Sequence, residues 1–372
     1  MKVLKTLHLA SFNGNIGDNA NHNGFYKYLN KNKDFKFAID TLEIREFYWR
    51  KRSFDISFVK LVNTYDLLII GGGNYFELWV DNSPTGTSIA IDLELLKQIK
   101  TPIVFNALGV DSGQGVSSRN IEKFRNFLDV LIERKDFISI RNDGARQTII
   151  KYIGKEYLEY IYHTVDAGFF TNISEPSNYY KTKKYIAINI ASDMPEVRFK
   201  DISYSNFLLV WQQFISDFLE EYNEYEIVIV PHIFRDIGFI NDLLEILDDE
   251  TRRTKISIAA LTHGENSFDE VMSIYKNASI VLANRFHANV CSIGFGTPTI
   301  GLVNYKQIQE LYNELESDSY IDITKKSFNY KLLELIRTVK PYKMIEIEKK
   351  YQTYIQSLNI WLNNYIGIGN KR

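Results

Sequence analysis

The sequence predicts an α/β protein: two successive parallel-sheet domains, each covered by helices, facing one another across a cleft. Three observations carry this. Short apolar runs alternate with helical patterns, which is how parallel strands joined by right-handed crossover helices read. The pattern is broken once, by the polar stretch TNISEPSNYYKTKK (171–184), and then restarts. And 372 residues, at roughly 150 per domain, make two domains.

The elements follow in order. TLHLASF is the first strand, a glycine- and asparagine-rich turn follows, and a helix covers about Asn19–Lys31. FAIDTL, YDLLIIGGG, TPIVFNALGV and FISIRN are the next strands, with helices near Ser118–Glu133 and Asp143–Ile153. After the break come the strand YIAINIAS and the helix FLLVWQQFISDFLEEY, whose apolar residues recur three or four apart. EIVIVPH, KISIAALTH, ASIVLANRFH and TPTIGLV are further strands. The domains are placed at 1–175 and 176–342. Residues 343–372, with Tyr354, Leu358, Trp361 and Tyr365 at helical spacing, form a C-terminal helix expected to cross back to the first domain.

Composition excludes several classes. Hydrophobic content of 45% and aromatic content of 14% supply sizeable cores. Lys and Arg number 44 against 46 Asp and Glu, so no basic face for nucleic acid is expected, and an anionic ligand needs a local cluster. The single cysteine, Cys291, forms no internal disulfide and fits a reducing cytoplasm. The N-terminus is too short in apolar residues for a signal peptide, and no window approaches ~20 apolar residues, so no membrane span is expected.

In such sheets ligands bind beyond the carboxyl ends of strands, so each motif is judged by whether it follows one. FNGNIGDNA (12–20) follows the first strand. Asp18 either caps the next helix or, with Asn15, faces the cleft and meets a sugar hydroxyl. In LLIIGGGN (67–74), Gly72, Gly73 and Asn74 form either a close-packed strand end or a backbone floor with free N–H groups. The loop after it holds Trp79, an aromatic face suited to a sugar ring or to packing. In SIRNDG (139–144), Arg141 makes an ion pair or forks onto a carboxylate or phosphate, and Asp143 caps the following helix. His232, in VPHIFRD, is a hydrogen-bonded structural residue or a cleft residue. His8, among apolar neighbours, is a satisfied core residue. In LANRFHANV (282–290), Arg285 ends a strand and His287 opens a helix, while Lys306 follows the next strand. Together these three make a cationic pocket facing the same cleft as Arg141. No histidine lies at metal-ligand spacing with carboxylates, so no metal is expected.

GNIGDNA, LLIIGGGN, ISIRNDGA, VPH and NRFHANVCSIGFGTPTIGL with Lys306, in this order over about residues 8–310, resemble the polysaccharide pyruvyl transferase family. The resemblance implies a glycosyltransferase-B-like fold of two Rossmann-like domains. It also implies transfer of a pyruvyl group from phosphoenolpyruvate to two hydroxyls of a sugar, in a polysaccharide or lipid-linked oligosaccharide, giving a cyclic ketal. Phosphoenolpyruvate is then a co-substrate and no cofactor is needed. Arg285 and Lys306 would bind it, Arg141 would face it, and His287 would be the acid/base. The family's mid-chain arginine is commonly followed directly by Asp, whereas here Asn142 intervenes before Asp143. Two rival readings stay open: a nucleotide-sugar-dependent glycosyltransferase of the same architecture, and a non-catalytic subunit of polysaccharide assembly. REFYWRKR (45–52) is either a solvated helix edge or a peripheral contact with the inner face of the cell membrane.

Overall fold

The structure, a computed structural model, describes residues 1–173, 178–264 and 267–367. The chain divides into two units. The first is Met1–Asn13, Gly24–Ala167 and Ile345–Arg372, and the second is Gly14–Asn23 and Gly168–Met344. Gly14–Asn23, placed by sequence with the first domain, therefore groups with the second unit, and the break falls at Ala167/Gly168, ahead of the polar stretch.

The first unit is built on β1 (Lys2–Ala10), β2 (Phe35–Glu43), β3 (Leu67–Gly71), β4 (Phe76–Glu77), β5 (Ile103–Leu108), β6 (Val110–Asp111), β7 (Phe137–Ile140) and β8 (Ile161–His163). Six of them form one parallel sheet in the order β2-β1-β3-β5-β7-β8, and β4 and β6 make a short separate pair. β3, β5 and β7 are buried along their whole length, which is why their sequences are mostly apolar rather than alternating, with Asn106 and Ser139 the polar exceptions. The helix Ser118–Glu133 covers the sheet. It starts where Ser117 accepts from the Asn120 N–H, and Phe124, Phe127, Leu128 and Leu131 are its buried stripe. The C-terminal helix Ile345–Leu362 packs in the same unit. Its Tyr354 hydroxyl donates to Asn106 Oδ1 at 2.7 Å, and Trp361 Nε1 donates to the Lys135 carbonyl at 3.0 Å.

The second unit repeats the plan with β9 (Tyr185–Asn189), β10 (Glu226–Ile229), β11 (Ile256–Ile258), β12 (Ile280–Ala283), β13 (Thr299–Val303) and β14 (Tyr320–Asp322). All pairs are parallel, in the order β11-β10-β9-β12-β13-β14. One face buries Trp211, Phe207 and Phe214 of the helix Tyr204–Glu221. The other buries Ile16, Ala20, Met272, Tyr275 and Cys291. KISIAALTH supplies a strand only over its first apolar residues.

Two sequence readings resolve here. His8 is fully buried; Nδ1 meets the Tyr26 hydroxyl at 2.5 Å and Nε2 the Gly71 carbonyl at 3.0 Å. Burial pushes its pKa down to about 4, only partly offset by the bond to Gly71. The glycines at the end of β3 pack closely on their neighbours. Gly71 (φ 138°) sits where a Cβ would strike the Asn106 carbonyl, Gly72 (φ 85°) donates its N–H to that carbonyl at 3.0 Å, and a Cβ on Gly73 would run into the Tyr75 ring. The expected floor of free N–H groups is corrected at Gly72, whose donor is used within the sheet.

Gly71→Ala combines a disfavoured φ with a backbone collision. It is expected to lower stability by about 2 kcal/mol or more in urea unfolding. An unchanged midpoint would mean that the β3–β5 edge relaxes freely.

Candidate active site

In the second sheet the chain moves outward from β9 in both directions, first to β10 and β11 and later to β12, β13 and β14. Where the order reverses, between β9 and β12, the loops at the carboxyl ends diverge and leave a crevice. Four loops meet there. They follow β9 (Asn189, Asp193), β10 (His232, Asp236), β12 (Asn284, Arg285, His287) and β13 (Asn304, Lys306).

Arg285 is the hub, only 9% exposed. Its backbone N–H donates to Asn189 Oδ1 at 2.9 Å, Nε donates to Asp236 Oδ2 at 2.9 Å, and Nη2 donates to Asp236 Oδ1 and to Asp193 Oδ1 at 3.0 Å. Asp236 Oδ2 also accepts from the His232 and Ile233 N–H groups. Burial lowers the guanidinium's pKa, but the Asp236 and Asp193 carboxylates outweigh it and hold the pKa above its ordinary value. Burial likewise pushes Asp193 up, and Arg285 and Arg198 more than offset it. Both partners are thus ionised.

Arg198, which the sequence reading missed, is buried on the other side of Asp193. Its Nε lies 3.3 Å from Asp193 Oδ1, Nη1 donates to Asn304 Oδ1 at 2.9 Å, and the guanidinium stacks 5.1 Å from the Tyr305 ring. Asn284 joins the loops, donating to Asn304 Oδ1 at 2.8 Å and accepting from the Ala191 N–H at 2.9 Å. Two arginines and two aspartates leave the buried network formally neutral. Lys306 is an exposed cation at this edge, 58% accessible in its side chain and 3.2 Å from Glu310.

His287 is the second residue of the helix Phe286–Gly294 and is 4% exposed. Its Nδ1 lies 3.6 Å from Asp18 Oδ1, an ion-pair distance. The helix Ile16–Leu29 brings Asp18 there. Asn15 caps that helix, accepting from the Gly17 N–H at 3.0 Å, so the capping role weighed for Asp18 belongs to Asn15. Gly17 permits the approach, since a Cβ on it would run into the Cβ and ring of His287. His232 hydrogen-bonds the Tyr275 hydroxyl through Nε2 at 2.7 Å. Among the described residues its buried Nδ1 has no partner. Burial, then Arg285 and His287, lower its pKa well below the usual value, so it stays neutral.

The second unit therefore brings Asn15, Asp18, His232, Arg285, His287 and Lys306 to one edge. The remaining predicted residues lie in the first unit. Arg141 follows β7 and is 2% exposed; Nε donates to Asp143 Oδ2 at 2.8 Å and Nη1 to Asp166 Oδ2 at 3.1 Å. Asp143 was expected to cap the next helix. The cap position is Gly144, with no side-chain bond, and Asp143 serves Arg141 instead. Asn74, Asp143 and Arg141 converge on Gly109, where a Cβ would touch all three. Asn74 Nδ2 donates to Asp111 Oδ2 at 3.2 Å, Gly72 and Gly73 are buried just before it, and Trp79 is half-buried on the turn after β4.

No group of His, Cys, Asp and Glu among the described residues could hold a metal ion. No helix among them is long and apolar enough to cross a membrane. What the second-unit edge offers is a carboxylate-paired histidine for proton transfer, an exposed lysine and the first-turn amides of a helix.

Two consequences are testable. Arg285→Ala strands Asp236 in the interior without its cation and is expected to cost about 3–5 kcal/mol in urea unfolding; a loss under about 1 kcal/mol would show that the network is not the clasp described. Gly17→Ala is expected to push the His287 ring aside, moving its NMR ring signals while those of His8 stay put. Unmoved His287 signals would contradict the close approach.

A model of the polysaccharide pyruvyl transferase family matches residues 15–306. No curated protein matches the chain. Among solved structures, a putative UDP-N-acetylglucosamine 2-epimerase from Listeria monocytogenes is 10% identical, with 92% of this chain and 93% of that chain covered and a TM-score of 0.58. The UDP-GlcNAc 2-epimerase of Methanocaldococcus jannaschii in complex with UDP-GlcNAc and UDP is 13% identical, at 95% and 99% coverage and TM-score 0.54. The S. aureus MnaA–UDP co-structure is 12% identical, at 95% and 98% coverage and TM-score 0.53. At these identities the likeness is one of fold: two parallel-sheet α/β domains of glycosyltransferase-B type. With more than half of its length matched, the chain belongs to the polysaccharide pyruvyl transferase family.

Proposed function

We propose that the chain transfers a pyruvyl group from phosphoenolpyruvate to two hydroxyls of one sugar in a cell-surface glycan or its precursor, closing a cyclic ketal and releasing phosphate. The observation that carries this reading is the Asp18–His287 pair on the first turn of the helix that follows Arg285. A carboxylate beside Nδ1 gives the ring a partner that holds it in place for passing a proton.

The reaction needs one proton delivered and two removed. His287 protonates the methylene carbon, and C2 becomes an oxocarbenium-like centre. The first sugar hydroxyl adds to C2 and loses its proton. Phosphate leaves with the C–O bonding pair. The second hydroxyl adds to C2 and loses its proton, completing the ketal. One of the two released protons restores His287 and the other leaves on hydrogen phosphate.

The donor is a small polyanion, and the buried arginine–aspartate network is already neutral. Its phosphate is therefore assigned to Lys306 and the first-turn amides of Phe286–Gly294. Its carboxylate takes the place of Asp193 on Arg285. Asp193 is the more accessible of that arginine's two carboxylates, at 18% against 1% for Asp236.

Calorimetry with phosphoenolpyruvate, followed by turnover on a glycan acceptor, tests the reading. Lys306→Ala should weaken donor binding about tenfold, and Asp193→Asn should tighten it about fivefold by removing a like charge. His287→Gln should bind the donor and lose at least about 100-fold in turnover. Heat with a nucleotide sugar and none with phosphoenolpyruvate would make the chain a glycosyltransferase. Heat with neither would leave a non-catalytic assembly subunit.

A further inference from the structure

The stretch REFYWRKR plays no part in the site described. In the first unit it forms a single helical turn, Arg45–Tyr48, followed by a tight reversal. The reversal is firmly built. The Trp49 N–H donates to the Arg45 carbonyl at 2.8 Å, and the Lys51 and Arg52 N–H groups both donate to the Glu46 carbonyl. Arg50 takes a left-handed φ of 57°, which a non-glycine residue adopts only when its surroundings impose it. Underneath, Phe47 stacks on Phe54 at 4.0 Å, and both meet Phe58 edge-on.

On this support the most amphipathic residue of the loop is left outside. Trp49 is 51% exposed, with the Lys51 ammonium 5.0 Å from its ring, and Ile56 is 47% exposed. The carboxylates nearby are already used: Glu46 pairs with Arg52, and Asp55 accepts from Ser57 and Phe58 at a helix start. Arg50, Lys51 and Lys60 are exposed and make no ion pair among the described residues. A chain with a net charge of −2 thus concentrates uncompensated cations around one exposed indole. Indole rings settle at the headgroup level of a bilayer, and neighbouring lysines and arginines are attracted by anionic lipid.

We propose that the turn Tyr48–Arg52 docks this unit on an anionic lipid bilayer, with Trp49 entering the interfacial zone and Arg50 and Lys51 meeting lipid phosphates. The surface charge selects anionic lipid and the indole makes the contact more than electrostatic. An anionic glycan would also attract the cations but would not bury the indole in an apolar layer.

Co-sedimentation of the full chain with phosphatidylcholine vesicles, with and without phosphatidylglycerol, is the test, with tryptophan emission recorded alongside. Binding is expected only with phosphatidylglycerol, weakening as salt is raised. Trp49→Ala should abolish the blue shift of emission: of the other three tryptophans, Trp211 is fully buried beforehand, and Trp79 and Trp361 are half-buried and lie outside this turn. Arg50→Glu with Lys51→Glu should weaken binding at least about tenfold while leaving the thermal midpoint within a few degrees. No binding to anionic vesicles, binding untouched by the double reversal, or binding with no blue shift would each overturn the proposal.

Discussion

Everything at the carboxyl edge of the second sheet depends on one buried guanidinium. Arg285 holds Asp236 through two of its nitrogens and reaches Asp193 with the same Nη2, so one side chain fixes the loops after β9, β10 and β12. Asp236 in turn accepts the His232 and Ile233 N–H groups, which ties the β10 loop at the backbone. Such pairs add little net stability, because desolvation of both charges offsets their attraction. What they supply is position. The first turn of Phe286–Gly294 starts where Arg285 is held, and His287 lies two residues on.

The first unit solves a similar problem with the same chemistry. Arg141 leaves β7 and is held by Asp143, two residues on, and by Asp166, beyond β8. Asp166 is fixed in turn by its N–H, which donates to Asn142 Oδ1 at 3.0 Å. Asn142, which stands between Arg141 and Asp143, is thus the residue that orients the second carboxylate. In both units a permanent cation at a strand end is met by two carboxylates from loops that would otherwise diverge.

That arrangement explains what the sequence did and did not disclose. The strands were legible because sheets buried on both faces need mostly apolar runs: LLIIG, IVFNAL and TIGLV are such runs, and each is a strand. The helix Ser118–Glu133 was legible from its capping serine and apolar stripe. Arg285 and His287 were legible because they directly follow a strand. Their partners were not. Asp193 lies in a loop, Arg198 at the end of a short helix and Asp236 at the start of another, all distant in sequence, and nothing in their local spacing marks them. Asn189, Asn284 and Asn304 do stand at strand ends, so the strand-end criterion applied to amides as well as charges would have found them. Asp18 was weighed as a cap or a cleft residue, and its ion-pair partner was not legible because caps are local and ion pairs are not; Asn15, three residues earlier, meets the local need and leaves Asp18 for a distant one.

The glycines make the same distinction between local and distant causes. Gly71 and Gly72 have positive φ and lie against the Asn106 carbonyl of the next strand, so their demand is met within one sheet and gives no reason to invoke a ligand. Gly17 has no such backbone demand. Its missing side chain leaves space that is filled by the ring of a residue 270 positions later, and that ring is His287. A glycine kept small for an imidazole, a carboxylate one residue on at ion-pair distance, and an arginine that fixes the imidazole's helix from the far side are three separate constraints on one side chain. Packing alone would be met by any ring of that size. The addition of a charge partner on the same turn as the glycine is what makes proton transfer the economical reading of this histidine.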